Sequence, residues 1–118
     1  MRSSREVSME VDTASANSAA VAFKIYDPIT QDEITLASDE YLVITDIALI
    51  TSANMDVTIA ANTNAAGKRI VCGTFAAGGG ISHNMVTPHR CPRGVIPKLF
   101  AGADSQVDCV MHGWIQKA

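Results

Sequence analysis

The chain has 118 residues, of which 47% are hydrophobic and 18% are charged, and its formal net charge is −3. This length is most simply one domain, and the composition is not that of an intrinsically disordered chain. The acidic balance argues against nonspecific binding of nucleic acid, which relies on Lys and Arg meeting phosphates, and no apolar run reaches the roughly 18 residues of a membrane-spanning helix.

The first half of the chain alternates apolar and polar side chains with a period of two, which is typical of half-buried strands. This alternation predicts strands over residues 5–13 and 20–26, the second ending at the Asp27-Pro28 break. A short strand is predicted over residues 34–36. Residues 41–51 are rich in β-branched side chains and apolar on both faces, so we predict a central strand, or one covered by a neighbouring subunit.

The second half of the chain continues the same pattern without a helical stripe. It predicts further strands over residues 55–61, 69–77, 81–86, 95–102 and 106–115. Short strands at this even spacing are the signature of a sandwich or barrel. The fold class is therefore all-β: a single-domain antiparallel β-sandwich or jelly roll of about eight strands, in which residues 1–5 form a loose N-terminal arm and residues 6–118 form the domain.

Glycine and proline mark the special positions within this pattern. Gly73 predicts a bulge inside its strand, and Pro97 predicts that its run is an edge or bulged strand. The Gly78–Gly80 triplet is interpreted as a flexible hairpin connection, since no Lys-Ser/Thr pair or helix follows it as in a phosphate loop. Residues 87–94 are interpreted as a surface corner.

Cysteine and histidine cluster in the second half, and His89-x-Cys91 and Cys109-x-x-His112 invite a zinc hypothesis. Strand geometry argues against it, because residues three apart in a strand point to opposite faces. An odd number of cysteines and the lack of an apolar signal stretch at the start fit folding in a reducing cytoplasm. The three cysteines are Cys72, Cys91 and Cys109.

Other catalytic or ligand-binding patterns are weak. Ser82-His83 with a nearby Asp lacks the GxSxG elbow of a nucleophilic triad, and the acids at 27, 32 and 33 lack EF-hand spacing. We therefore expect no enzyme, no cofactor, no metal and no small-molecule substrate. A small cupin-type enzyme is the third function class considered, and it requires a His-rich metal set on inward strands.

Charge is segregated along the chain. Residues 27–46 carry six acids and no base, whereas residues 68–98 carry five bases and no acid. One interpretation is two solvated faces, since surface charge is weak evidence for anything more. The other is a pair of complementary patches that meet between subunits.

Trp114 is the only tryptophan, and the alternation puts it on one face with Asp108, Val110 and His112, opposite Cys109 and Met111. Three interpretations remain open: packing under a loop or edge, an anchor at a subunit contact, or a platform on which a sugar stacks. Tryptophan is enriched at the centres of protein contacts.

A set of segments occurs in a fixed order between residues 20 and 115: the strand YLVITDI at 41–47, the strand at 55–61, FAAGGG at 75–80, MVTP at 85–88, Pro92-x-Gly94, and a last strand reaching Gly113-Trp114. This ordered set resembles the jelly-roll decoration, or cement, proteins that sit as trimers on the outside of tailed-phage heads. The loop at 90–93 departs from that pattern.

The resemblance implies a structural virion protein on the outer capsid surface, made in the host bacterial cytoplasm. It implies a homotrimer that binds the major capsid protein and stabilises the head, with no nucleic acid or membrane as partner. An N-terminal arm that reaches a neighbour is part of the implied assembly. The alternative is a receptor- or carbohydrate-binding jelly-roll module of a phage fibre or tail. The residues expected to contact another subunit or the capsid are Met1, Arg2 and Arg5 in the arm, His89, Arg90 and Arg93 at the corner, and Trp114.

Overall fold

The computed structural model describes residues 4–117 and shows ten strands and no helix in that part of the chain. The strands are β1 Ser4–Thr13, β2 Val21–Ala22, β3 Lys24–Tyr26, β4 Glu33–Ile34, β5 Glu40–Thr51, β6 Met55–Ala60, β7 Arg69–Phe75, β8 Gly80–Arg90, β9 Lys98–Ala101 and β10 Val107–Lys117. All strand pairings are antiparallel. The prediction of an all-β sandwich is confirmed.

The strands form two sheets. Sheet A has the order β4-β3-β1-β10-β5-β8, and sheet B has the order β2-β9-β6-β7. β5 lies between β10 and β8, which confirms that residues 41–51 form a central strand. Within the described residues, β8 and β7 are edge strands of their sheets, and Gly78 and Gly79 connect them next to the end of β5.

The core is the layer between the two sheets. Inward residues at every second position of β1, β5, β10 and β6 supply most of it, as the period-two pattern predicts. The largest fully buried side chains include Met9, Ile25, Leu42, Ile44, Ile47, Leu49, Met111, Ile59 and Leu99. Thr51 is a buried polar residue, and its hydroxyl donates to the Ala76 carbonyl oxygen at 3.1 Å.

The strand predicted over residues 20–26 is divided in two. β2 belongs to sheet B and β3 belongs to sheet A, so the chain changes sheets at Phe23. The Phe23 side chain is buried, and its N–H donates to the Pro97 carbonyl oxygen at 3.0 Å. The alternation predicted that Val21, Phe23 and Ile25 face inward, but it did not predict the change of sheet between them.

Two further predictions about β7 and β8 are wrong. Residues 78–80 do not close a hairpin, because β7 and β8 belong to different sheets. They bond to the end of β5 instead: the Gly78 N–H donates to the Thr51 carbonyl oxygen, and the Thr51 N–H donates to the Gly79 carbonyl oxygen. Residues 87–90 are not a corner, because β8 continues through Pro88 to Arg90 along β5. The turn lies at residues 92–95, where the Val95 N–H donates to the Pro92 carbonyl oxygen.

The expectations for Gly73 and Pro97 also change. Gly73 pairs regularly with Val57, and the bulge of this strand pair lies instead between Ile59 and Ala60. Pro97 precedes β9, which lies between β2 and β6 and is not an edge strand. The ring nitrogen of a proline at the position before a strand leaves no ladder hydrogen bond unmade.

Candidate interaction surface

Four residues form one row across the outer face of sheet A. Glu6 of β1 pairs with Trp114 of β10, Trp114 pairs with Val43 of β5, and Val43 pairs with Arg90 of β8. This Trp114 row has an acid at one end, a base at the other and two apolar side chains between them. Val43 faces outward, because its chain neighbours Leu42 and Ile44 face the core, and yet it is only 4% exposed. Its larger neighbours in the row therefore cover it.

A register shift in β5 decides which side chain of β5 lies beside Trp114. His112 pairs with Asp46 and Gly113 pairs with Ile44, which leaves Thr45 as the extra residue of a bulge. The Thr45 hydroxyl donates to the His112 carbonyl oxygen at 3.2 Å. Gly113 has no side chain at the close approach to β5, where a Cβ atom would overlap the Val43 carbonyl oxygen. The bulge therefore places Val43 on the outer face, where it pairs with Trp114.

Arg90 is held in place at its end of the row. Its guanidinium lies 4.8 Å from the centre of the Tyr41 ring, within the range of a cation–π interaction. Tyr41 follows Glu40 at the start of β5, two residues from Val43 on the same face. Arg90 itself stays exposed, so the stacked guanidinium can still donate hydrogen bonds to a partner.

A polar depression adjoins Trp114. Ser8, His112, Asp46 and Asn84 form the next outward row across β1, β10, β5 and β8. Between the two rows lies a shallow cavity of about 460 Å³. Its lining residues are Glu6, Thr45, Asp46, His112, Gly113 and Trp114.

The structure brings together two of the predicted contact residues, Trp114 and Arg90, and separates the others. His89 precedes Arg90 and so faces the other side of β8, where partial burial lowers the pKa of its imidazole. Arg93 is exposed on the loop after β8. Arg5 lies in β1, where its Nη2 atom is 2.8 Å from Asp27 Oδ2. Met1 and Arg2 lie outside the described residues, and the predicted arm at 1–5 overlaps β1 by two residues, since β1 begins at Ser4.

A second surface feature, which the sequence did not signal, is an open cleft between the edge strands β7 and β8. The cleft has a volume of about 700 Å³ and a lining of apolar and polar side chains. The strands come from different sheets, so no contiguous pattern in the sequence marks it. The β7–β8 cleft is lined by Ile70, Val71, Cys72, His83, Met85, Val86, Thr87, Pro88 and His89.

The Cys109 and His112 side chains, one of the pairs that suggested zinc, do not share a face. Cys109 is buried and His112 is exposed on opposite faces of β10, as strand geometry predicts. Burial raises the pKa of the Cys91 and Cys109 thiols to about 12, whereas Cys72 is exposed. Within residues 4–117, no three His, Cys, Asp or Glu side chains are grouped closely enough to hold a metal ion.

The part that the structure describes contains no helix with the length and apolarity to cross a membrane. The sequence matches no model of a known protein family, and no curated protein matches it.

Proposed function

We propose that this protein is a non-enzymatic structural protein of a tailed-phage virion, which binds the outer head surface as a homotrimer and stabilises the capsid. The observation that carries the proposal is the Trp114 row, in which a half-buried aromatic side chain lies between a carboxylate at one end and a stacked arginine at the other on the outer face of a six-stranded sheet. The resemblance of the ordered segments between residues 20 and 115 to phage decoration proteins supports the same function.

The chemistry of the row suits a contact with another protein. Trp and Arg are the residue types most enriched among those that dominate binding energy at protein interfaces. Opposite charges at the two ends of the row, Glu6 and Arg90, fix the orientation of a partner and reject a reversed one. The major capsid protein is the partner proposed here.

Three copies strengthen a weak contact without new chemistry. When one protomer of a trimer is bound, the other two meet a high effective concentration of identical capsid sites, and this raises the overall affinity by orders of magnitude. The repeated surface of a phage head offers such sites. A modest contact centred on Trp114 is therefore sufficient for stable decoration.

The test is cosedimentation of the purified protein with phage heads assembled without it, over a series of protein concentrations. Trp114→Ala should weaken binding by about 30-fold per contact, the consequence of losing about 2 kcal/mol at a central anchor. Ile50→Ala removes an exposed apolar side chain from the same sheet face, away from the row, and should bind as the wild type does.

Two results would refute the proposal. One is a Trp114→Ala variant, shown to be folded by circular dichroism, that sediments with heads as well as the wild type. The other is the absence of the wild-type protein from intact virions. The proposal predicts that quantitative mass spectrometry finds the protein there in a copy number that is a multiple of three.

A second candidate function is favoured by the cavity beside Trp114. An indole face next to carboxylates at Glu6 and Asp46 is a combination that binds sugars, with the ring stacking on the pyranose and the carboxylates accepting from hydroxyls. A receptor- or carbohydrate-binding module should give selective signals on a glycan array, and Trp114→Ala should abolish them. Glycan binding without head binding would favour this candidate over the first.

A further inference from the structure

The β7–β8 cleft combines apolar and polar side chains, and two exposed bases precede its first lining residue along the chain. Its walls present Ile70 and Val71 on one side and Met85 on the other, and Val86 at the rim is 100% exposed. Both walls are edge strands, which soluble proteins usually cover or protect with charge. The exposed bases Lys68 and Arg69 directly precede Ile70, which lines the cleft on β7. The cleft therefore suits an apolar group carried on an acidic segment.

The loop at residues 27–32, which we call the Ile29 loop, has these properties. Ile29 is 89% exposed and follows the exposed Pro28. Asp32 and Glu33 are exposed acids beside it. The loop thus presents an apolar tip with negative charge at its base.

Hydrogen bonds hold the Ile29 loop in one shape. Asp27 Oδ1 accepts from the backbone N–H of Ile29 at 2.8 Å and of Thr30 at 3.1 Å. The Gln31 N–H donates to the Asp27 carbonyl oxygen at 2.7 Å, and Gln31 has a left-handed backbone with φ 64°. A tip that is already ordered loses little conformational freedom on binding.

The loop and the cleft lie at opposite ends of sheet A. The Ile29 loop connects β3 and β4 at one edge of the sheet, and β8 is the other edge. The tip of one chain is therefore separated from its own cleft by the width of six strands. A second copy of the chain can bring the two together.

We propose that the Ile29 loop of one copy inserts into the β7–β8 cleft of the next, so that copies join head to tail along the edges of sheet A. Ile29 packs between Val71 and Met85, and Asp32 and Glu33 face the bases that flank the cleft. Such a contact uses a different patch on each partner and closes into a ring when its rotation permits. The inference rests on the self-assembly in the proposed function and names the surfaces that perform it.

Disulfide trapping tests the contact directly. In a Cys72→Ala background, Ile29→Cys protein is mixed with Met85→Cys protein and oxidised, and the products are separated on a non-reducing gel. The mixture should give a crosslinked dimer that neither variant gives alone, because the two remaining native thiols, Cys91 and Cys109, are buried and their raised pKa keeps them unreactive. Val71→Cys gives a second trapping position on the opposite wall.

The matched control is Ile50→Cys, which places a thiol at another exposed apolar position, on the face of sheet A. It should not crosslink to Met85→Cys, since a disulfide requires Cα atoms within about 7 Å. Equal crosslinking of Ile50→Cys and Ile29→Cys would mean random collision and would overturn the inference.

The possible outcomes separate this inference from the proposed function. Sedimentation of the wild type as a trimer, with no crosslink from Ile29→Cys to either wall, overturns the head-to-tail contact alone; the cleft would then be free for a segment of another protein. A variant that carries both Ile29→Cys and Met85→Cys forms a series of crosslinked products on oxidation. If the largest product has three chains, the result supports the head-to-tail contact and the homotrimer. Crosslinked products of more than three chains support the contact and overturn the homotrimer. A wild-type protein that sediments as a monomer overturns both the contact and the homotrimer.

Discussion

At the scale of single residues, Asp27 organises the loop that we assign to self-association. One oxygen of its carboxylate accepts from Arg5 Nη2 at 2.8 Å, and the other accepts from the backbone N–H groups of Ile29 and Thr30. These bonds favour the ionised form, so the pKa of Asp27 is lowered from 3.8 to about 2, with the Arg5 bond as the largest cause. One side chain thereby connects the start of β1 to the Ile29 loop.

The lowered pKa of Asp27 predicts a pH dependence of stability. A carboxyl group whose pKa is lower in the folded than in the unfolded state contributes stability that is fully present above its unfolded pKa of 3.8 and is lost as the pH falls through about 2. Asp27→Asn removes this contribution. The variant should unfold at lower urea concentration than the wild type at pH 7, and the gap should narrow between pH 4 and pH 2.

Glu10→Gln is the control for Asp27→Asn, because it removes a negative charge from an exposed position of β1, outside the Ile29 loop. Its effect on the urea midpoint should be small at every pH. A constant gap between wild type and Asp27→Asn from pH 7 to pH 2 would contradict the assignment of the stabilising bonds to the ionised carboxylate.

At the scale of elements, β5 changes register with both of its neighbours at the same place. Thr45 is the extra residue opposite β10, and the stretch of β8 between Asn84 and His89 bulges opposite the same residue. Bulges redirect side chains and increase local twist. Here they put Trp114 and Arg90 into one row with Val43 and let Val86 project from the rim of the β7–β8 cleft.

Gly113→Ala tests whether the bulge at Thr45 depends on the missing side chain. The added Cβ would overlap a backbone atom, the Val43 carbonyl oxygen, so the strands must separate. We expect a loss of at least about 2 kcal/mol in the free energy of unfolding, in the range of overpacked core sites. Trp114 is the only tryptophan, so its fluorescence emission should shift as its cover changes.

Gly102→Ala is the matched control for Gly113→Ala. A Cβ at Gly102 meets its nearest neighbour, the Asp56 Cβ atom, at 3.5 Å, which is ordinary contact. The control should keep the emission of the wild type and nearly all of its stability. Equal effects of the two substitutions would show that the close approach of β10 to β5 does not position Trp114.

The elements differ in how far the sequence predicts them, for physical reasons. Residues 5–13 and 106–115 alternate cleanly because each strand has one face on the core, and this pattern predicted which face carries Trp114. Alternation carries no information about partners, so the change of sheet at Phe23 and the row that joins Trp114 to Arg90 did not follow from it. Pro88 suggested a corner, but a proline within a bulge leaves no ladder hydrogen bond unmade, so the strand continues.

At the scale of the whole molecule, sheet A separates the two proposed activities in space. Its outer face carries the Trp114 row, which we propose binds the capsid, and its two edges carry the Ile29 loop and the β7–β8 cleft, which we propose join neighbouring copies. Edge-to-edge assembly leaves the outer face uncovered. A ring built in this way presents every copy of the Trp114 row on its surface, which is the arrangement that multivalent binding requires.

The proposed assembly through the edges would couple folding to association, and this predicts a melting temperature that depends on protein concentration. Association stabilises the folded chain by mass action, so the melting temperature of the wild type should rise over a hundredfold range of concentration in scanning calorimetry. Ile29→Asp should remove this rise, because a charged tip does not enter the apolar cleft. At low concentration it should melt close to the wild type, since Ile29 is 89% exposed and makes little contribution to the protomer itself.

Ile50→Asp supplies the comparison for Ile29→Asp, because it introduces the same charge at an apolar position that is 61% exposed on the outer face. It should keep the concentration dependence of the wild type, since the outer face lies outside the contact between copies. If Ile29→Asp melts with the same concentration dependence as Ile50→Asp and the wild type, copies associate through another surface. The cleft between β7 and β8 would then have no part in holding the assembly together.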